Sequence, residues 1–418
     1  MSLQVRRIAS LSVLLLLPLR AQWEALAAGQ PFRSFDWLTC WWQHYGPKEG
    51  PRSTLTTTGK DLYVLACFDG EQLVGLAPWY RSLTPYGRVL RALGSGEVCS
   101  DYLGLLCKPG QEAGVATALA CFLSEARSAG SPLLRPDSWD LLLLTGQDAD
   151  DQALLQLCQK LREGGHSVAQ RAGARTWRIS LPPPESPAPP LPNAPLPLGV
   201  VEVLPPEAEH RWEAYLATLS ASHRSRIRRA LRRAEGLELQ LVETEGERAL
   251  ALQTLYQLHQ QRRLQVGEPG AFASPRNRAF HEAVTQKLLA AGRLRLLVLS
   301  QAGRPVGALY ALAGGGVLYG YQSGLDPQAM SLEPGRILHA SMILRALHEG
   351  ATAYDLLRGD EPYKAHFRAE PVASSELLIA HRHLTGRLFF AAVQGGRWLK
   401  AWASQLRGQL RTRTVVQS

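Results

Sequence analysis

The sequence predicts an α/β (α+β) protein in two halves, each a mixed, mainly antiparallel sheet flanked by helices. Three observations predict it. Strand-like and helix-like segments alternate from residue 1 to about 181, the pattern of a layered α/β domain. A proline-crowded stretch without periodicity, 182–206, separates that half from the next and favours extended polyproline segments. Beyond it, Leu294 to Ser323 reads as a three-stranded antiparallel meander, followed by a helix start, a helix and one more strand.

The 418 residues suffice for two or three domains with their own cores. A hydrophobic share of 45% with 20% charged residues is that of a soluble globular protein. The net charge is +10, but only seven of the 46 basic residues are lysines. So broad an arginine bias reflects coding composition, which makes a lysine at a motif position more informative than an arginine. The six cysteines (Cys40, Cys67, Cys99, Cys107, Cys121 and Cys158) form no Cys-x-x-Cys pair. Metal-ligand spacing is therefore absent, and reduced cysteines in a cytosolic core are expected.

At the N-terminus, Arg6-Arg7, the apolar run Leu11 to Leu19 and Ala25-Leu26-Ala27 imitate a secretory signal. The run falls well short of the roughly 20 residues that span a bilayer. A charged, aromatic stretch also separates it from any cleavage site. The expectation is a strand from Leu3 to Ile8, then one amphipathic helix to about Ala28. Ser34 or Asp36 caps a second helix through Trp41, Trp42 and Tyr45. Its aromatics at helical spacing read as core before they read as a pocket lining. Leu62 to Phe68 and Leu73 to Tyr80 flank the turn Asp69-Gly70-Glu71 as a hairpin. Ser100 to Leu106 reads as a strand entered by a polar pair, Gly114 to Ala129 as a helix and Trp139 to Leu144 as a buried strand. Asp150 to Glu163 is a helix, and the strand Ala174 to Leu181 closes a first domain, 1–181.

The second half opens with a helix from His210 to Leu219. A basic helix from Ser222 follows, closed by Gly236. A strand from Leu237 to Val242 and helices from Gly246 to Arg263 and Asn277 to Ala291 lead to the meander. After it, Glu333-Pro334-Gly335-Arg336 opens a helix running to about Gly350. Unpaired N–H groups and a positive dipole end make a helix start a natural phosphate site. Pro334, Gly335 and Arg336 are therefore the candidate phosphate-binding residues. The domain 207–380 ends in Tyr354-Asp355 and Gly359-Asp360-Glu361-Pro362-Tyr363-Lys364. The tail, 381–418, is basic and aromatic. It fits either a docked helix with a solvated face or a peripheral contact with an anionic membrane.

Several of these strings together resemble the CelD-like (BioF2-like) branch of the GNAT acyltransferase superfamily. They are Arg224 to Arg233, Gly303-Arg304-Pro305-Val306-Gly307, Pro334-Gly335, and the Tyr354-Asp355 and Gly359-to-Lys364 pair. The likeness covers roughly 210–380. The first half is similar, by element order, to the degenerate partner domain of this branch and of Fem-type peptidoglycan bridge aminoacyltransferases. The resemblance implies tandem GNAT-like domains and an N-acyltransferase acting on an amine of a saccharide or cell-envelope intermediate, with acetyl-CoA or another acyl-CoA as donor. The Arg/Gln-x-x-Gly-x-Gly/Ala loop of typical GNAT enzymes is absent, so aminoacyl-tRNA stays open as the donor. A non-catalytic scaffold of a polysaccharide-synthesis complex is the third reading. The location implied is cytoplasmic, at most peripheral to the membrane.

Such a reaction needs a base for the attacking amine, donors for the oxyanion and an acid for the leaving group. Asp360 or Glu361 is the candidate base, Tyr363 the acid, and Lys364 the oxyanion or phosphate donor. The structural alternative is that Asp360 and Lys364 simply pair at a strand end. Arg226 and Arg229 on the basic helix are candidates for phosphates of the acceptor. Tyr321 and Ser323, alternating onto one face, are candidates for the acceptor site. Without interleaved aromatics, the arginines do not suggest sequence-specific nucleic-acid binding.

Overall fold

The computed structural model describes residues 3–16, 19–47, 59–126, 137–184, 205–265 and 267–396. In chain order the first half runs β1 Gln4–Ile8, α1 Leu11–Leu16, α2 Arg20–Ala27, α3 Phe35–Tyr45, β2 Lys60–Asp69, β3 Gln72–Thr84, β4 Gly87–Ala92 and β5 Leu106–Cys107. It continues with α4 Glu112–Glu125, β6 Leu141–Asp148, α5 Gln152–Glu163, β7 Ser167–Ala172 and β8 Thr176–Ser180. The second half begins with α6 Pro206–Thr218, α7 Ala221–Ala234, β9 Glu238–Leu241, α8 Glu245–Gln265 and α9 Pro275–Ala290. Then come β10 Leu294–Gln301, β11 Arg304–Gly314, β12 Val317–Leu325, α10 Pro334–His348 and β13 Ala353–Arg358. A single turn α11 Tyr363–His366, β14 Glu370–Val372 and β15 Ser374–Ala380 complete the sheets. A last helix, 384–396, reaches the end of the described residues.

Two mainly antiparallel sheets with helices on their faces carry this chain, as expected. The first has the order β1-β2-β3-β4-β6-β15-β7, with β5 against β3; the second has β14-β8-β13-β12-β11-β10-β9. The halves exchange strands. β8, expected to close the first domain, lies inside the second sheet between β14 and β13. β15, from the far end of the second half, lies inside the first sheet between β6 and β7. Sheet membership therefore does not follow chain order at 181 or 380.

Other expectations change in detail. The helix after β1 is split into α1 and α2, and Ala28 ends α2 in a left-handed conformation. Ser100 to Leu105 is a loop in place of a strand: Cys99 and Tyr102 have positive φ, which breaks the extended repeat. β7 (Ser-Val-Ala-Gln-Arg-Ala) has no counterpart among the predicted elements, because a half-exposed edge strand carries no apolar alternation. Ser34 is the cap of α3, accepting from the Trp37 amide. The aromatics of α3 are core, with Trp37 fully buried edge-on to Phe280 of α9.

One core fills the first half and continues onto the α8 face of the second sheet. The other lies under α6, α7 and α10 on the opposite face. Helix 384–396 lays Phe389, Phe390 and Val393 against Val89, Leu141 and Leu378 of the first sheet. This part of the basic tail is docked, while 397–418 and most of 182–206 lie outside the described residues.

Candidate active site

The meander and its neighbours create an opening by a simple failure of pairing. β12 and β13 run parallel but pair only over Val317–Tyr319 with Ala353–Asp355. Just past that point β12 carries a bulge: Ala311 faces Gly320 while Tyr310 faces Gln322. The bulge bends β12 away from β13, so the two strands splay at their C-terminal ends.

The bulge also corrects the expected pairing of Tyr321 with Ser323. Tyr321 packs on the α8 face against Trp37, His281 and Tyr310 and donates to the Val98 carbonyl. Ser323 sits opposite Leu309, which belongs to the α10-side core. The extra residue thus puts the two on opposite faces.

The helix start forms where β12 ends. Glu333, at φ 56°, turns the chain out of a short 3-10 segment, and Pro334 begins α10 with no side chain capping it. α7 packs its apolar stripe, Ile227, Ala230, Leu231 and Ala234, into the same core as α10. This turns its arginines toward the helix start. Burial and then the charges of Arg226, Arg229 and Arg233 push the Arg336 guanidinium below its ordinary value. Arg233 reaches the Glu333 carboxylate at 3.1 Å, and Arg336 pairs with Glu333 as well. His223 and His366 stand beside them with rings 4.9 Å apart. Burial and the neighbouring positive groups His223, Arg336 and Arg226 lower the His366 pKa. Four arginines thus converge on an uncapped helix N-terminus with one carboxylate among them. Two groups that the sequence offers separately, Pro334-Gly335-Arg336 and Arg226/Arg229, form one positively charged surface.

One helical turn further along α10 lies a group to which the sequence motifs assign no role. His339 is buried and its Nδ1 shares a 2.9 Å hydrogen bond with the Tyr354 hydroxyl. That hydroxyl occupies the space a side chain at Gly320 would need, 2.6 Å from the ideal Cβ position. Tyr363 stacks on His339 at 5.1 Å. Burial, and then the charge of Lys364, push His339 down to about 4. Burial raises both phenols, with Glu361 adding to the rise at Tyr363. At neutral pH the cluster is therefore an uncharged imidazole between two protonated phenols, beside the splayed strands. Its sequence signals are the Tyr354-Asp355 string and the three-residue step from Arg336 to His339, which share one side of α10.

The string Gly359 to Lys364 takes an unexpected form. Lys364 is 1% exposed and donates to the carbonyls of Leu357 (3.1 Å), Arg358 (3.0 Å) and Gly359 (2.8 Å). Its ion-pair partner is Glu361 at 3.1 Å, and not Asp360. Asp360 accepts from the Trp177 indole at 3.0 Å and lies 3.6 Å from Arg175, both from the exchanged strand region. Asp360 and Glu361 are exposed, whereas Lys364 fastens the loop that carries them. Asp355 anchors that loop through a 2.8 Å bond from the Leu357 amide.

Residues 221–365 match the family model described as an acetyltransferase (GNAT) domain. That match gives residues 221–365 as a GNAT-type acyltransferase domain. The fold over nearly the whole chain is that of FemX, with a TM-score of 0.58 at 11% identity, covering 93% of this chain and 99% of FemX. A looser likeness is to the C-terminal domain (DUF2156) of a putative lysylphosphatidylglycerol synthetase from Agrobacterium fabrum (TM-score 0.46, 10% identity, 90% of this chain and 94% of that one). Another is to a tandem GNAT protein from the clavulanic acid biosynthesis pathway (TM-score 0.38, 12% identity, 91% and 99%). No curated protein matches the sequence. Among the described residues, no helix is long and apolar enough to cross a membrane.

Proposed function

We propose that the protein is an N-acyltransferase that takes its acyl group from acyl-CoA and delivers it to an amine of a saccharide or cell-envelope precursor. The observation that carries this reading is the convergence of Arg226, Arg229, Arg233 and Arg336 on the start of α10. The donor's phosphates bind there, against arginines and backbone N–H groups. The acyl end then lies one turn further in, at the splay of β12 and β13 beside His339, Tyr354 and Tyr363.

The acceptor amine attacks the acyl carbonyl, its proton passes to the exposed Glu361 or Asp360, and the Tyr363 phenol gives its proton to the departing thiolate. Lys364 acts as a positioning residue: it holds the carbonyls of Leu357, Arg358 and Gly359 and pairs with the Glu361 carboxylate, and so sets where Asp360 and Glu361 stand. An oxyanion role for it would require one of those carbonyl bonds to be released. Contact of the basic tail with an anionic membrane would place the enzyme near envelope precursors, at the cytoplasmic face.

The test is titration of the full chain with acetyl-CoA and longer acyl-CoAs by calorimetry or native mass spectrometry. Arg226→Ala with Arg229→Ala is expected to weaken binding at least tenfold without loss of folding. No binding of any acyl-CoA would overturn the reading.

One observation favours a second donor. Beside Arg229 and Arg233 at the helix start, the exposed Arg232 lengthens the arginine cluster along α7 into a stripe suited to a polyanion. Aminoacyl-tRNA, the donor of Fem-type enzymes, would use that stripe. Tight, steeply salt-dependent binding of aminoacyl-tRNA with no acyl-CoA binding would decide for it.

A further inference from the structure

On the α8 face of the second sheet, away from His339 and Tyr354, a cavity of about 430 Å³ lies between the two sheets. That size suits a small organic ligand. Arg33, Glu112, Asp148 and Asp151 line it from the first half, Arg178 and Tyr319 from the second sheet; the Asp151 carboxylate accepts from the Leu105 and Leu154 amides, and Arg33 is the positive charge that acts on it.

Three hydrogen-bond donors face this space with capacity to spare. Arg178 gives its Nε to Asp355 at 2.9 Å, and Arg33 gives its Nε to the Tyr102 carbonyl. The Nη groups of both make no hydrogen bond among the described residues. Tyr319 is 5% exposed, and its hydroxyl also has no partner among them. The Tyr319 ring is held edge-on to Phe32 and Tyr102, so the hydroxyl direction is fixed before any ligand arrives. Arg178, Arg33 and Asp355 are the charges that act on that phenol, which burial pushes up to about 12, leaving it a donor at neutral pH.

A cavity-facing hydroxyl without a partner, between two forked guanidiniums, is a set that suits a planar carboxylate. The rest of the lining carries Glu112, Asp148 and Asp151, which are unfavourable to a dianion and favourable to an ammonium group. The geometry points to this cavity as a binding site for a small amino carboxylate such as a free α-amino acid, its carboxylate on Tyr319, Arg178 and Arg33 and its ammonium toward Glu112 and Asp148. The site lies on the other face of the sheet from the donor arginines and does not depend on which donor they hold. Because its two walls come from the two halves, a bound ligand ties the junction together, and stability is linked to its concentration.

The experiment is thermal unfolding and calorimetry of the full chain with glycine, L-alanine, L-glutamate and L-lysine as probes. Acetate, ethylamine and orthophosphate serve as controls. The expected result is a saturable rise in Tm with at least one amino acid, larger than with acetate or ethylamine at equal concentration. Tyr319→Phe and Arg33→Lys should each weaken that affinity at least tenfold. Should Arg33→Lys fail to fold, the isosteric Tyr319→Phe titration decides. Absence of any response to amino acids, orthophosphate binding in preference to them, or unchanged affinity in Tyr319→Phe would each overturn the assignment. Acyl-CoA titration of the same sample reports separately on the donor site.

Discussion

Tyr102, in a loop of the first half, donates its hydroxyl at 2.5 Å to the fully buried carboxylate of Asp355 in the second sheet. The same carboxylate accepts from Arg178 at 2.9 Å and from the Leu357 amide, while Thr176 meets the Tyr102 hydroxyl at 2.6 Å. Three residues on, Arg358 closes on Asp101 at 2.6 Å. The loop that carries Asp360 and Glu361 is thus held by the other half of the chain.

Removing one donor from this network should cost stability in a pH-dependent way. Burial raises the Asp355 pKa, and the Tyr102 and Arg178 interactions hold it back. Tyr102→Phe leaves a buried carboxylate short of a partner, a loss of about 1–3 kcal/mol at pH 7. Raised in the fold, this group favours the folded state most in its protonated form, below its unfolded value, and that contribution fades as pH rises through the folded pKa. The deficit of Tyr102→Phe should therefore shrink as pH is lowered from 7 toward 4. Urea unfolding across that range checks it, and a deficit independent of pH would count against it.

Lys364 separates a structural from a chemical role. Lys364→Met leaves three carbonyls without their shared donor inside the fold. It should lower stability by about 2–4 kcal/mol, since each unsatisfied buried group costs about 1–3 kcal/mol. Turnover should fall together with stability. Should turnover collapse while the urea midpoint stays at the wild-type value, Lys364 acts on the reacting atoms and the fastening role is wrong.

Acid should weaken the protein through its buried imidazoles. Burial is the leading cause that pushes His339 and His166 down to about 4 and His281 to about 3, from an ordinary value near 6.5. All three fold neutral, so the unfolded chain binds more protons between pH 6.5 and 4. Their contribution is intact above the unfolded pKa and is lost as pH falls through that window. Each tenfold difference in proton affinity between the folded and unfolded chain is worth up to about 1.4 kcal/mol. The urea midpoint should drop between pH 7 and pH 5, and His339→Gln should flatten part of the slope. Equal midpoints at the two pH values would contradict this.

Much of the second half was legible because its signals are local. The meander turns, the Pro334 helix start and the basic stripe of α7 each announce themselves within a dozen residues. What stayed hidden depends on contacts far apart in sequence. No short pattern says that α7 lays its arginines over the start of α10. A one-residue bulge at Tyr321 reverses the face of Ser323 and leaves no mark on the apolar alternation. Lys364 stood out by its residue type, and its burial against three carbonyls follows only from the left-handed turns at Leu357 and Gly359.

The exchanged strands give a last test. A cut within 182–206 looks like a cut at a linker. It would leave the first fragment with β8, whose partners β13 and β14 lie on the second fragment, and the second with β15, whose partners β6 and β7 lie on the first. Each sheet would then lose an interior strand and expose unpaired backbone edges to solvent and to other chains. Fragments 1–195 and 196–418, expressed separately, should show non-cooperative unfolding or aggregate, while co-expression should recover a complex that unfolds in one transition. Two fragments that each fold alone with dispersed amide spectra would show that the exchange is dispensable. The junction around Tyr102 and Asp355 would then be an ordinary interface between independent domains.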